Sequence, residues 1–286
     1  MDTVWRIASM LAAAVIVCGP PMSASAPRVT VSSLDAYKVV LLPWPHPDFA
    51  RALKPGMAKE FDALLPYTAV IKNDSDREVI AYSVLWNCVG VEGRATTAAR
   101  AVDTFSILQR GANFLPHSSE VVSLQLSLEA GASQVDMATK VSVDRLVDIF
   151  SQQISIDISL DAVLFDDGSA VGSDRAGWIP RWKAWLDAER EVLTTAVQSS
   201  DTERINILRQ LATGDQDPGK LAALANHSAD YGECLAHAKG YFSRSLLKEL
   251  EEGNGETAMK NVRNIIGSKT YPSVHRMGSS VADRGC

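Results

Sequence analysis

Along residues 66 to 172 apolar side chains recur at every second position, the period of a strand with one buried face. Tyr67, Ala69 and Ile71 begin the pattern, and Asn73-Asp74-Ser75-Asp76 supplies a turn. A second strand follows, with Ile80, Tyr82, Val84, Trp86 and Cys88 on one face up to Glu92-Gly93-Arg94. After Leu115-Pro116-His117-Ser118, a third alternation runs through Val122, Leu124, Leu126 and Leu128, with Ser123, Gln125 and Ser127 between. The fourth sets Ile154, Ile156, Ile158 and Leu160 against Ser155, Asp157 and Ser159, and closes on the Asp166-Asp167-Gly168 turn. Adding Val39 to Leu42 and a strand around Thr104 to Leu108 predicts about seven strands, the number of a two-sheet sandwich. Between Asp136 and Phe150 the positions of Val143, Leu146, Val147 and Phe150 fit helical spacing better than alternation.

Past Gly177 the rhythm changes to every third or fourth residue. Pro180 stands in a first helical turn, where its missing N–H costs little. Trp182, Trp185, Leu186, Val192, Leu193 and Ala196 form the apolar stripe that follows. Ser200 with Glu203 has capping-box spacing and opens a helix through Ile205, Leu208, Leu211 and Ala212, which Gly214 stops. Further helices are predicted over 219–226, 229–252 and 256–266. The expected fold class is therefore α+β. An N-terminal all-β, immunoglobulin-like sandwich over residues 30–172 precedes an α-helical domain over 173–270 and a flexible tail over 271–286.

Composition changes this picture little: 286 residues that are 46% hydrophobic and 22% charged belong to an ordinary globular chain. Charge placement says more. Residues 27 to 172 carry 12 Lys/Arg against 18 Asp/Glu, and residues 173 to 286 carry 15 of each, so the net −6 belongs to the front half. Neither half has the clustered basic field that nucleic acid requires, and no nucleic-acid partner is expected.

The N-terminus has its own layout. Arg6 precedes an apolar run from Ile7 to Cys18, and small residues follow to Ala26, the three-part form of a secretory signal peptide over residues 1–25. The run is 12 residues long, short of the roughly 20 that span a bilayer. The mature protein is thus expected outside the cytoplasm, periplasmic or secreted, with no transmembrane segment. It would retain Cys88, Cys234 and Cys286. Cys88 reads as a small buried hydrophobe, leaving Cys234 with Cys286 as the candidate disulfide.

The run from Val70 to Trp86, together with Ser159-Leu160-Asp161-Ala162-Val163-Leu164-Phe165-Asp166-Asp167-Gly168 through Gly172, resembles secreted bacterial proteins of unknown function built on an immunoglobulin-like or fibronectin-like sandwich. The resemblance spans about residues 65 to 175. It implies a fold and a compartment and brings no catalytic residues.

Several motifs offer chemistry. Gly214-Asp215-Gln216-Asp217-Pro218-Gly219-Lys220 has phosphate-loop spacing, but Leu221 stands where Ser or Thr is needed and no strand precedes it. Ser245 and Lys248 have hydrolase spacing without the companion motifs. His227, Asp230, Cys234 and His237 would share one face of a continuous helix, and their donors suit zinc. Against this, Ser228 makes a good N-cap that leaves His227 outside the helix, and Cys234 shares its face with Tyr231, Ala238 and Tyr241 as a core residue would. Asp157, Asp161, Asp166, Asp167 and Asp174 gather around one hairpin and could hold calcium or serve acid/base chemistry, though aspartates also form turns.

No cofactor is expected. The sequence points to a non-enzymatic extracytoplasmic binding or envelope-associated protein, its partner another extracytoplasmic protein or an envelope component. The competing expectation is an envelope-polymer hydrolase with a carboxylate or zinc site between the two domains.

Overall fold

The two strongest alternations become the two longest strands. In the computed structural model, which describes residues 26–104, 114–213, 231–252, 255–268 and 272–277, β4 (Val79–Gly90) pairs antiparallel with β7 (Gln153–Phe165) along nearly their whole length. β5 (Ala95–Asp103) extends the sheet beside β4. The far edge of β7 is shared by two strands. β1 (Arg28–Ser32) runs parallel to its first half, and β8 (Ser169–Gly172) folds back antiparallel on its second half. β9 (His275–Arg276) pairs parallel with β8 and makes six strands. A second sheet joins β2 (Val39–Pro43), β3 (Ala69–Asn73) and β6 (Ser119–Val122), all antiparallel.

The two sheets share one core. Val39, Leu41 and Ile71 from the smaller sheet meet Val84, Trp86, Ile156, Ile158 and Phe165 from the larger. Trp86 is fully buried, and its indole N–H donates to the Tyr67 carbonyl at 2.9 Å, so its one polar atom is satisfied. The same core takes in Phe49 of α1 (Pro47–Ala52), Phe61 and Leu64 of a 3-10 segment (Lys59–Tyr67), and Val143, Leu146 and Phe150 of α3 (Met137–Ser151). These helical pieces correct the expectation of an all-β front half. The spacing of Val143, Leu146 and Phe150 does form a helix, capped by the Asp136 carboxylate on the Thr139 N–H at 2.7 Å.

A second correction falls on residues 122–128, where alternation predicts a strand. β6 ends at Val122, and the chain turns into a short helix, α2 (Leu126–Glu129). The polar residues of the alternating pattern cause the turn by capturing local backbone. The Ser123 hydroxyl accepts from Gln125 N–H at 3.1 Å, the Gln125 side chain accepts from Ser127 N–H at 3.3 Å, and the Glu129 carboxylate accepts from Ser123 N–H at 2.8 Å. The strand expected around Thr104 to Leu108 falls mostly outside the described residues; the strand in that region, β5, lies earlier. The tail expected to be flexible contributes β9 at residues 275–276.

The helices begin at α4 (Trp178–Gln198), followed by α5 (Asp201–Thr213), α6 (Tyr231–Glu252) and α7 (Gly255–Ser268). Their own core holds Val192, Leu193, Leu208, Phe242, Leu246 and Met259. α4 also covers the outer face of the large sheet at one end, where Ile179, Trp182 and Leu186 pack on Ile80, Ala162, Leu164 and Ala170. The chain is thus a mixed α and β fold in which one sheet is buried on both faces at its β8 end. No helix among the described residues is long and apolar enough to cross a membrane.

Candidate functional site

Away from α4, the outer face of the large sheet is polar. The period of two that buries Ile156 and Ile158 turns Asp157 and Ser159 outward, and the pairing registers line their neighbours up with them. Thr30 of β1, Asp157 of β7, Asn87 of β4 and Thr97 of β5 stand in one row across four strands.

Their side chains bond along that row. The Thr30 and Ser32 hydroxyls each donate to the Asp157 carboxylate at 3.1 Å, and the Asn87 amide reaches it at 3.5 Å. Asn87 also donates to the Ser159 hydroxyl at 3.2 Å and accepts from Thr97 at 3.2 Å. Arg175, exposed on the connection into α4, donates to the Ser159 hydroxyl at 2.7 Å. The result is an array in which the Thr30, Ser32 and Thr97 hydroxyls, the Asn87 amide and the Asp157 carboxylate stand on strands, with the Arg175 guanidinium beside them on the connection into α4 and Ser159 itself buried.

The acidic cluster expected around the β7–β8 hairpin is dispersed by this architecture. Asp157 belongs to the row. Asp161 is fully buried and accepts from Ser173 Oγ at 2.8 Å, Arg175 N–H at 2.9 Å and Ala176 N–H at 3.0 Å, which anchors the chain as it leaves the sheet. Asp167 folds the hairpin turn by accepting from Ser169 N–H at 2.8 Å and pairs with Arg77 at 3.3 Å. Asp166 is exposed in the same turn, its N–H donating to the Glu78 carbonyl at 3.0 Å. Asp174 accepts from Trp178 N–H at 2.6 Å and Ile179 N–H at 3.2 Å, at the start of α4; burial raises its carboxyl above the ordinary value against those two bonds.

Of the four candidate zinc ligands, His227 and Asp230 lie outside the described residues. Cys234 is buried on α6, near the Arg181 guanidinium. His237 is half-buried, its ring edge-on to Trp185 at 6.2 Å. Among the described residues no group of three or more His, Cys, Asp or Glu could hold a metal ion. Cys286 lies outside the described residues, as does the segment from Gly214 to Lys220. Lys248 reaches Glu252 at 3.9 Å on an exposed face.

Two further clusters escape the sequence reading. At the open edge between the sheets, Arg100 of β5 grips Glu129 of α2 through Nε and Nη2, the latter at 2.9 Å. Beside them the Tyr82 hydroxyl hydrogen-bonds the Glu120 carboxylate, with Lys54 nearby. Burial raises the Glu120 pKa most; Glu129 adds to the rise, and Tyr82, Arg100 and Lys54 oppose it. The only warning in the sequence is that Glu120 has the parity of buried Val122. On the helices, an open groove of about 490 Å³ is lined by Asp187, Arg190, Glu191, Thr194, Tyr231 and Leu235. Asp187 is already engaged there, accepting from Lys183 Nζ at 2.6 Å, Tyr231 Oη at 2.7 Å and Arg190 at 3.1 Å. Burial works to raise its pKa, but the bonds from Lys183 and Tyr231 hold it below the ordinary value.

No protein-family model, curated protein or solved structure matches the chain.

Proposed function

We propose that this is a non-enzymatic binding or envelope-associated protein that works outside the cytoplasm, with the polar row of the large sheet as its recognition face. The leader over residues 1–25 directs export, to the periplasm or the medium. The front half is an immunoglobulin-like sandwich and the rear half a helical domain. One observation carries the binding reading: Thr30, Asp157, Asn87 and Thr97 form a continuous row across four strands, extended by Ser32, Ser159 and Arg175. Such a face meets a flat polar partner with donors and acceptors whose conformational entropy is already lost, which lowers the cost of association.

The test is co-sedimentation of the mature protein with isolated cell-envelope fragments, comparing the parent with Asn87→Ala and Asp157→Asn. Both positions are partly exposed, so the variants should fold normally. Sedimentation by the parent and at least about tenfold weaker binding by both variants, some 1.4 kcal/mol, is the expected outcome. Equal binding by all three removes the row from the account. No binding by the parent removes the envelope as partner. Mass spectrometry of exported material should find an N-terminus near residue 26.

One observation favours the alternative, an envelope-polymer hydrolase: two neighbouring carboxylates in unlike environments, Glu120 raised by burial and Glu129 clamped by Arg100. This pair lies between the sheets rather than between the two domains. Polymer cleavage by the parent that Glu120→Gln abolishes would establish that reading in place of the first.

A further inference from the structure

Two polar atoms on the two sides of the contact between α4 and the large sheet are buried with nothing to bond. Ser83 Oγ, on β4, and Trp182 Nε1, on α4, are shut off from solvent and have no hydrogen-bond partner among the described residues. Ser83 is 0% exposed and Trp182 2%. Each group gave up its water on burial, and folded proteins seldom leave such a loss uncompensated.

The strand registers bring the two together. Tyr82 and Val84 point into the core between the sheets, so Ser83 between them points the other way, toward α4. Its partners across the ladder are Ala101 on β5 and Ala162 on β7. Ala81, Ala101 and Ala162 thus flank the serine on three sides, and all three pack in the apolar cluster that holds Trp182. Trp178 and Trp185 pack only at the margin of that cluster. The ladder is also broken at this spot. Ser83 pairs with Ala162 but Val84 pairs with Leu160, so Asp161 is the extra residue of a bulge and has no partner on β4.

We propose that one water molecule is sealed between α4 and the large sheet at this bulge, accepting from Trp182 Nε1 and sharing a hydrogen bond with Ser83 Oγ. The chemistry of the two atoms selects this ligand. An indole N–H only donates, whereas a hydroxyl can donate or accept, so the bridging group must accept from one and bond the other. A cation offers the indole no acceptor. The seam between close-packed alanine methyls and an indole suits the smallest such group, and water sealed in protein interiors makes two to four bonds to atoms of this kind. The water adds a directional link to a contact that is otherwise apolar, and so fixes where α4 sits on the sheet. It lies at the buried end of the outer face and does not depend on the binding reading, which rests on the polar row.

Water-selective nuclear Overhauser spectra of the mature protein test the proposal. The Trp182 indole proton should show a cross-peak to a long-lived water, and Ser83→Val, whose methyl groups take up the site, should lose it. A high-resolution crystal structure should place one water within about 3.2 Å of both atoms. Ser83→Ala and Trp182→Phe should each lower the melting temperature, and the double variant by less than the sum, because both side chains hold the same water. An indole proton without a water contact, a direct bond between Ser83 and Trp182, or strictly additive losses each overturns the proposal. The spectra of the parent and of Ser83→Val decide the matter even if Trp182→Phe fails to fold.

Discussion

The hydroxyl of Tyr82, on the large sheet, is hydrogen-bonded to the carboxylate of Glu120, on the small one, and ties the two sheets together at their open edge. Burial is the chief influence on both groups and disfavours the charged form of each.

The pH dependence follows from Glu120. Its pKa is higher folded than unfolded, so its contribution to stability is complete below the unfolded value, about pH 4, and is lost as pH rises through the folded value. Glu120→Gln keeps an acceptor for Tyr82 without the buried charge. The variant should match the parent near pH 4 and be the more stable of the two at pH 7, as read by urea denaturation at both values. A variant less stable at pH 7 would show that the carboxylate charge is favourable where it sits.

Arg204 closes the end of α4. Its Nε donates to the Ala196 carbonyl at 2.6 Å and its Nη2 to the Ser199 carbonyl at 2.8 Å, while Nη1 meets the almost fully exposed Asp201 at 2.7 Å. Arg204→Ala orphans those two carbonyls and should cost about 2–4 kcal/mol. Asp201→Ala removes only a solvated partner and should change stability by no more than about 0.5 kcal/mol. Chemical denaturation midpoints separate the two roles.

Two glycines with positive φ should respond unequally to alanine. Gly177, at φ 67°, has open space where a Cβ would stand, so Gly177→Ala should cost only the conformational strain, about 1–2 kcal/mol. Gly172, at φ 107°, would drive that carbon into the Asp161 carbonyl and the Ala162 backbone. Gly172→Ala should therefore prevent folding or lower the melting temperature by well over twice as much. Thermal melts of the two variants side by side provide the measurement.

Burial pushes the Cys88 thiol up to about 11. At pH 8 about one molecule in a thousand carries the thiolate, so native protein should resist alkylation at this position. Mass spectrometry after iodoacetamide treatment, with and without denaturant, should find Cys88 labelled only in the unfolded sample.

What could be read from the sequence was set by side-chain size and period. β4 and β7 were legible because large apolar residues alternate through Trp86 and Ile158, and α3 because Val143, Leu146 and Phe150 keep a helical step. β5 was hidden, since alanine and threonine give no contrast between its faces. Residues 122–128 misled because Ser123 and Gln125, polar at the right places for a strand, spend their side chains on a turn. The alternation sets Asp157 on the face opposite Ile156 and Ile158, but its row depends on registers between strands far apart in the chain, which a period cannot express. The Glu120 cluster was missed because a lone glutamate within a short strand reads as surface, and its partners Arg100 and Glu129 come from separate elements.

Arg276, just past the helices, donates to the carbonyl of Ser173, just before them, at 3.0 Å. The chain leaves and rejoins the large sheet at neighbouring points, so the whole helical portion is an excursion with a narrow neck. A linker from 173 to 274 would keep the strands in their original order, but it would strip α4 from Ile80, Ala162, Leu164 and Ala170, so the sheet would need another cover at that doorway.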